Sequence, residues 1–331
     1  MKKETDITIK TYAPVVIPTL CRFNHFKKCI ESLARCKWAN RTDVFVGVDY
    51  PAKEAHWDGY KKICDYLAQV KLNFKSLNIL IRNQNMGVGK NGNLATLEKE
   101  VLEKYDRFIG SEDDNIFSPN FLVFMNKGLE KFKDDKNVLA INGYRHFYPI
   151  KRASNSFIRQ NVDFSGWGYG FWKDRMEKMK ILKNDYFQKR FSLKLFWKVY
   201  KENGSNRALN FASYAFAWNG IMSDSPISVY AKLEDLNVIM PAEESLVRNI
   251  GWDDSGEHHL NNDSLAQQHL EQKISDNEDF DFVGTGFEYY KDNRKIFRNN
   301  SYAKISTPCF AKCCVKILIK YLSMKLGFLK K

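Results

Sequence analysis

Short apolar, β-branched runs alternate with longer helical patterns over the first 150 residues, and this alternation leaves few folds open. Residues 13–19 read as a short buried strand. Helical spacing follows from Phe26 to Lys37, with Ile30 and Leu33 apolar amid Lys27, Lys28, Glu31 and Arg35. Strand-like runs recur at 43–49, where Tyr50-Pro51 stops the run, at 77–82 and at 106–110. Helices are expected at 54–70 and 94–103, and a fifth strand at 138–143. Such a βαβαβ succession predicts an α/β fold, a mostly parallel central sheet flanked by helices. Beyond residue 150 the alternation weakens. Aromatics crowd residues 164–172, a Lys- and Phe-rich helical stretch lies near 186–202, and a late strand is expected at 237–241. Residues 253–300 are polar and read as loop-rich. No internal repeat or flexible linker divides the chain.

In open parallel sheets, ligands bind beyond the carboxyl ends of the strands. Glu112-Asp113-Asp114 follows such an end, at Gly110. Three consecutive carboxylates repel one another unless a cation joins them, and hard oxygen ligands suit Mg²⁺ or Mn²⁺. A solvated acidic turn is the plainer alternative. A second candidate is the run from Asn85 to Asn93, which sets Gly87, Gly89 and Gly92 between a strand and a helix. Glycines let backbone amides approach a phosphate, the helix N-terminus favours negative charge, and Lys90 could reach the same group. The spacing matches neither the P-loop nor the dinucleotide-binding fingerprint.

Taken in order, residues 14–19 with Arg22, then Val48-Asp49, then residues 85–90, then Ser111 to Asp114 resemble nucleotide-sugar glycosyltransferases of the GT-A fold. The resemblance is to family-2-like bacterial enzymes and to N-acetylglucosaminyltransferase I. Residues 165–172 look like the Trp-Gly-Trp segment that follows the sheet in that group. Residues 245–252, with Ser255, Gly256 and His258, look like its Ser-Leu-Val…Asn-Ile-Gly segment. The resemblance covers residues 12–260. It implies a single GT-A catalytic domain over 1–300, with a nucleotide-sugar-binding half at 12–145 and an acceptor-binding half at 146–300.

Carried over residue by residue, the resemblance implies that Thr19, Arg22 and Asp49 grip the nucleoside and that Lys90 neutralises the diphosphate. Asp114 would bind the metal, Mn²⁺ or Mg²⁺, and Asp113 would face the ribose or sugar of the nucleoside-diphosphate sugar. His258 or His259 would complete the metal shell. The family carries a Trp-Asp pair ahead of the Pro that precedes the Ser-Leu-Val segment. Counting back from Pro241 reaches Ser223-Asp224 and assigns the catalytic base to Asp224. A rival alignment through Trp218 puts Asn219 there, which would suit a catalytically inactive GT-A-like carbohydrate- or nucleotide-binding protein. The implied reaction is an inverting sugar transfer to a glycan or lipid-linked acceptor in surface polysaccharide synthesis. Trp167, Tyr169 and Trp172 would offer flat faces to the acceptor, with core packing as the alternative for those rings.

The chain carries a formal charge of +13, which attracts phosphates of any kind. No nucleic-acid motif accompanies it, so no nucleic-acid partner is expected. The seven cysteines form no CxxC pair, which argues against a structural zinc. With no signal-peptide pattern at Met1 to Asp6, they point to a reducing cytoplasm. Residues 308–331 form a separate basic, amphipathic tail helix. Lys312, Lys316, Lys320 and Lys325 interrupt its apolar residues at four- to five-residue steps and are expected to draw one cationic stripe. Such a helix would lie on an anionic membrane surface rather than span it, making the protein peripheral on the inner face of the cell membrane. A helix packed on the body with solvated lysines is the alternative.

Overall fold

The computed structural model describes residues 7–146, 157–161, 163–182, 185–217, 220, 223–253, 269–282, 287–288 and 306–326. Strands β1 (Val15–Thr19), β2 (Asp43–Val48), β3 (Ser76–Ile81) and β4 (Arg107–Gly110) are interleaved with helices α1 (Phe23–Ala34), α2 (Trp57–Gln69) and α3 (Asn93–Leu102). Then come β5 (Asn115–Phe117), α4 (Phe121–Lys131), β6 (Val138–Asn142), β7 (Phe157–Gln160) and β8 (Tyr169–Trp172). Helices α5 (Lys173–Lys178), α6 (Tyr186–Arg190), α7 (Leu193–Ala217) and α8 (Asp224–Leu233) follow. The chain continues through β9 (Asn237–Pro241), β10 (Val247–Asn249), β11 (Phe287–Glu288) and α9 (Thr307–Lys325).

Nine of the strands form one sheet, in the order β11-β7-β9-β6-β8-β4-β1-β2-β3. The pairings among β1 to β4 are parallel, as are β6 with β9 and β7 with β11. β8 is inserted antiparallel between β4 and β6. The expected architecture is therefore present: a mostly parallel central sheet with helices on both faces and a C-terminal helix. Alternation along β1 divides the core. Val15 and Ile17 face a layer with Phe26, Ile63 and Phe124 of α1, α2 and α4, and Val16 faces Leu97, Phe187 and Phe211 of α3, α6 and α7. In α1 the spacing of Phe26, Cys29, Ile30 and Leu33 turns one stripe inward, and all four are fully buried.

The tail is not separate from the body. Phe310 and Ile317 of α9 are buried in the second layer of the core, and Phe310 stacks on Tyr200 of α7 at 4.8 Å. Tyr321 meets Phe191 at 5.8 Å. Among the described residues no helix is long and apolar enough to cross a membrane.

Candidate active site

Because β1, β2, β3 and β4 are parallel, their carboxyl ends share one edge of the sheet. Thr19 ends β1, Asp49 follows β2, the glycine turn follows β3, and Glu112-Asp113-Asp114 follows β4. β8 runs the other way, so its beginning meets the end of β4: Tyr169 pairs with Gly110. That reversal brings the preceding loop, with Gly166 and Trp167, back to the acidic triplet.

Asp113 and Asp114 are both buried. The Thr19 hydroxyl donates to Asp113 Oδ2 at 2.9 Å. The Arg22 guanidinium bridges the two carboxylates, on Asp113 and on Asp114 Oδ2 at 2.8 Å. Arg22, expected at the nucleoside, is thus engaged by the acids. On the other side of Asp114, Asn249 donates to Oδ1 at 2.6 Å, and the Ile250 amide donates to the Asp114 carbonyl at 2.8 Å. β10 delivers this contact by pairing antiparallel with β5, Asn249 opposite Asn115. Gly251 must lack a side chain, since a Cβ there would lie 2.0 Å from Asp114 Oδ2.

Asp224 opens α8 and faces the triplet from across the site. The Gly166 amide donates to its Oδ1 at 2.7 Å. A Cβ on Gly166 would lie 2.9 Å from Asp224 Oδ1 and 3.5 Å from Glu112 Oε1, so the two carboxylates converge on one point. Burial pushes the Asp224 carboxyl up to about 7, against the Gly166 amide, which favours the charged form. Burial, then the neighbouring charges of Asp114, Asp224 and Asp113, holds Glu112 well above the usual carboxylate range. Glu112 also accepts the Trp167 indole N–H at 3.0 Å. Serine at 223 serves as the helix N-cap residue rather than as a ring beside the base.

The three aromatic candidates part company. Trp167 is half-buried beside Glu112, with its ring edge-on to Tyr144 at 4.8 Å. Tyr169 lies in the floor: its ring covers Gly110, its hydroxyl donates to Glu98 at 2.5 Å, and Phe108, Phe164 and Phe171 surround it. Trp172 corrects the expectation of an acceptor face. The strand register sets it opposite Arg107, at the far end of β4, with its indole bonded to the Leu129 carbonyl and Arg175 over its ring at 4.4 Å. Burial also pushes Glu98 up to about 7, with its Tyr169 bond opposing the rise.

Asp49 holds the glycine turn in place. Its Oδ1 accepts the Met86 amide at 2.8 Å and its Oδ2 the Gly87 amide at 2.9 Å. Gly87 and Gly89 have φ of 59° and 102°, values that favour glycine. Lys90 is exposed on this turn. His258, His259, Trp218 and Asn219 lie outside the described residues. Sequence reasoning weighed Glu112 only as part of the acidic triplet and gave no role to Glu98, Gly166 or Asn249. The last two sat inside quoted segments, but their contacts to acids far along the chain left no local signal.

Among the described residues no group of three or more His, Cys, Asp or Glu side chains converges to hold a metal. Asp113 and Asp114 alone offer a two-carboxylate set, of the kind that suits a hard cation also bound by substrate phosphates. Arg22 pairs with both of these carboxylates, while Asp224 is influenced by Arg207 instead. A divalent cation fits between Asp113 and Asp114 if Arg22 turns aside.

No family model matches the chain, and no curated protein matches it. Among solved structures it is similar to the mannosyltransferase PcManGT of Pyrobaculum calidifontis, in complex with GDP-Man and Mn²⁺. That match has 12% identity, 72% of this chain, 58% of that chain and a TM-score of 0.36. It is also similar to a crystal structure of S. aureus TarS, residues 1–349, at 10% identity over 72% of this chain and 60% of that one, TM-score 0.38. A third likeness, to the WbbM bifunctional glycosyltransferase, has 12% identity over 53% of this chain and 34% of that one, TM-score 0.29. The chain thus spans less than two thirds of each, and similarity this distant carries over no activity.

Proposed function

We propose that the protein is a nucleotide-sugar-dependent, inverting glycosyltransferase of the GT-A type that transfers a hexosyl group to a glycan or lipid-linked acceptor. The observation that carries this reading is the meeting of Asp224 with the acidic triplet across Gly166. A carboxyl with a pKa near 7 is suited to take a proton at neutral pH. The acceptor hydroxyl oxygen attacks the anomeric carbon, and the bond from that carbon to the diphosphate oxygen breaks with its electron pair leaving on the diphosphate. The hydroxyl proton passes to Asp224.

The remaining residues bind and orient. Asp113 and Asp114 would hold Mn²⁺ or Mg²⁺, which when bound stabilises negative charge on the leaving diphosphate. Lys90, exposed on the glycine turn, would meet the same diphosphate, and Trp167 would border the transferred sugar or its acceptor. Asp49 acts through the turn it pins. Surface polysaccharide synthesis is the setting this chemistry suits.

The test is a thermal-shift panel of nucleotide sugars with and without Mn²⁺, followed by proton NMR of the product anomer. Donor-specific stabilisation and an inverted anomer are expected. Donor binding with no turnover on any acceptor would favour the inactive binding-protein reading. No stabilisation by any nucleotide sugar would overturn the proposal.

A further inference from the structure

Helix α9 is bound to the body along one side only. Phe310, Cys314, Ile317, Tyr321 and Met324 recur at helical spacing and face α6 and α7. The side turned away is also apolar. Val315, Leu318, Ile319, Leu322 and Leu326 are exposed, with Ile319 at 59% and Leu326 at 69%. Scattered apolar residues on a surface need no explanation, but five on one strip of one helix do.

The same helical period corrects the expected charge pattern. Lys312, Lys316 and Lys320 run down one flank of the outward strip, while Lys325 lies on the other flank. All four are exposed. Residues 306–331 contain no Asp or Glu, so nothing in the helix itself neutralises them. At its beginning the helix adjoins an exposed tryptophan of α7: Trp197, 43% exposed, meets Phe310 edge-on at 6.4 Å. Lys194, Lys198 and Lys201 are exposed on the same stretch of α7. An apolar strip, flanking lysines and a half-exposed tryptophan are the components of a surface that rests at a lipid–water boundary.

We propose that the outward face of α9, with Trp197 beside it, docks the folded protein on an anionic lipid bilayer without crossing it. Charge decides between occupants. A second copy of the chain would bring its own lysines against these and repel, whereas an anionic headgroup layer complements them while the acyl region takes the apolar strip. The proposal stands on α9 and α7 and does not depend on the reaction at the strand ends.

Removing the helix would be a poor test, because Phe310 and Ile317 belong to the core. The experiment instead uses the full chain and outward positions. Wild type should cosediment with phosphatidylcholine–phosphatidylglycerol vesicles at low salt, less at high salt, and little with phosphatidylcholine alone. The double variant Ile319→Gln/Leu322→Gln should weaken partitioning by roughly tenfold or more, with an unchanged melting temperature. The triple variant Lys312→Gln/Lys316→Gln/Lys320→Gln should lose the preference for the anionic vesicles. Equal pelleting of wild type and both variants would overturn the proposal. So would failure of wild type to pellet, and so would a dimer in sedimentation equilibrium that Ile319→Gln/Leu322→Gln dissolves while vesicles remain unbound.

Discussion

The floor of the candidate site and the outer face of α9 are opposites. At the floor, Glu112 and Asp224 meet at Gly166, Arg22 pairs with Asp113 and Asp114, and burial raises the carboxyl pKa of Glu112, Asp113 and Asp224. On α9, lysines stand in solvent with no acid in the helix. The net charge of +13 therefore describes the surface and says little about the site. Acids gathered under cover seek a cation or a proton, while bases spread in the open seek an anionic surface.

The largest break in this contrast comes from Asp224→Asn, which keeps the shape of the floor but removes a proton acceptor. Turnover should fall by about 10²–10⁴, with donor affinity measured by calorimetry little changed. Equal loss of donor affinity would mean that Asp224 holds the donor rather than accepts a proton. Next, Asp114→Ala should abolish Mn²⁺-dependent binding of a nucleoside diphosphate. Asn249→Ala, which frees one oxygen of Asp114, should weaken it by roughly 10–100-fold. Calorimetry with Mn²⁺ and diphosphate alone reads both, and an undiminished affinity for either variant would remove the metal from the account.

A pH series sharpens the same contrast. With its carboxyl pushed up to about 7, Asp224 is mostly protonated below neutrality and cannot accept a proton. Turnover should thus rise with pH and level off above about 7, a limb that belongs jointly to Asp224 and Glu112. A flat profile from acid to neutral pH would contradict a titrating base.

The smallest effect concerns Glu98, whose folded pKa of about 7 lies above its ordinary 4.5. Between those values the folded chain binds a proton that the unfolded chain does not. Stability from this group is therefore greatest below its unfolded pKa and is lost as pH rises through about 7, by up to about 3 kcal/mol. In urea melts, Glu98→Gln should flatten the decline between about pH 5 and pH 8. A variant as pH-sensitive as wild type would assign that decline to other groups.

Much of the sheet was legible because its strands are short apolar runs set between helical patterns. β1 to β4, β6 and β9 fall where β-branched runs predicted them, and α1 to α3 differ from expectation by a few residues at their ends. Helix α4 was not legible, because nine of its eleven residues are buried and no polar stripe marks a period. β8 hid inside a glycine- and aromatic-rich run, so Tyr169 and Trp172 looked like one cluster. A strand sends alternate residues to opposite faces and carries three steps of chain about 10 Å along its axis, which separates Tyr169 from Trp172 in both respects. In the site, the acidic triplet was visible from its place after a strand. The Asn249 grip on Asp114 and the Glu98–Tyr169 bond join residues 135 and 71 positions apart and have no local signature.

The antiparallel insertion of β8 also bears on the order in which the chain can fold. β4 carries the acidic triplet, yet one of its edges is closed only by residues 169–172. A nascent chain must expose that edge until the ribosome has delivered a further sixty or so residues, an interval of several seconds at typical elongation rates of about 5–20 residues per second. An open edge of this kind is a template for pairing with another chain. Fragments that end ahead of β8 should therefore aggregate even though they contain β1 to β4, and a soluble minimal piece of this protein has to reach at least through Trp172.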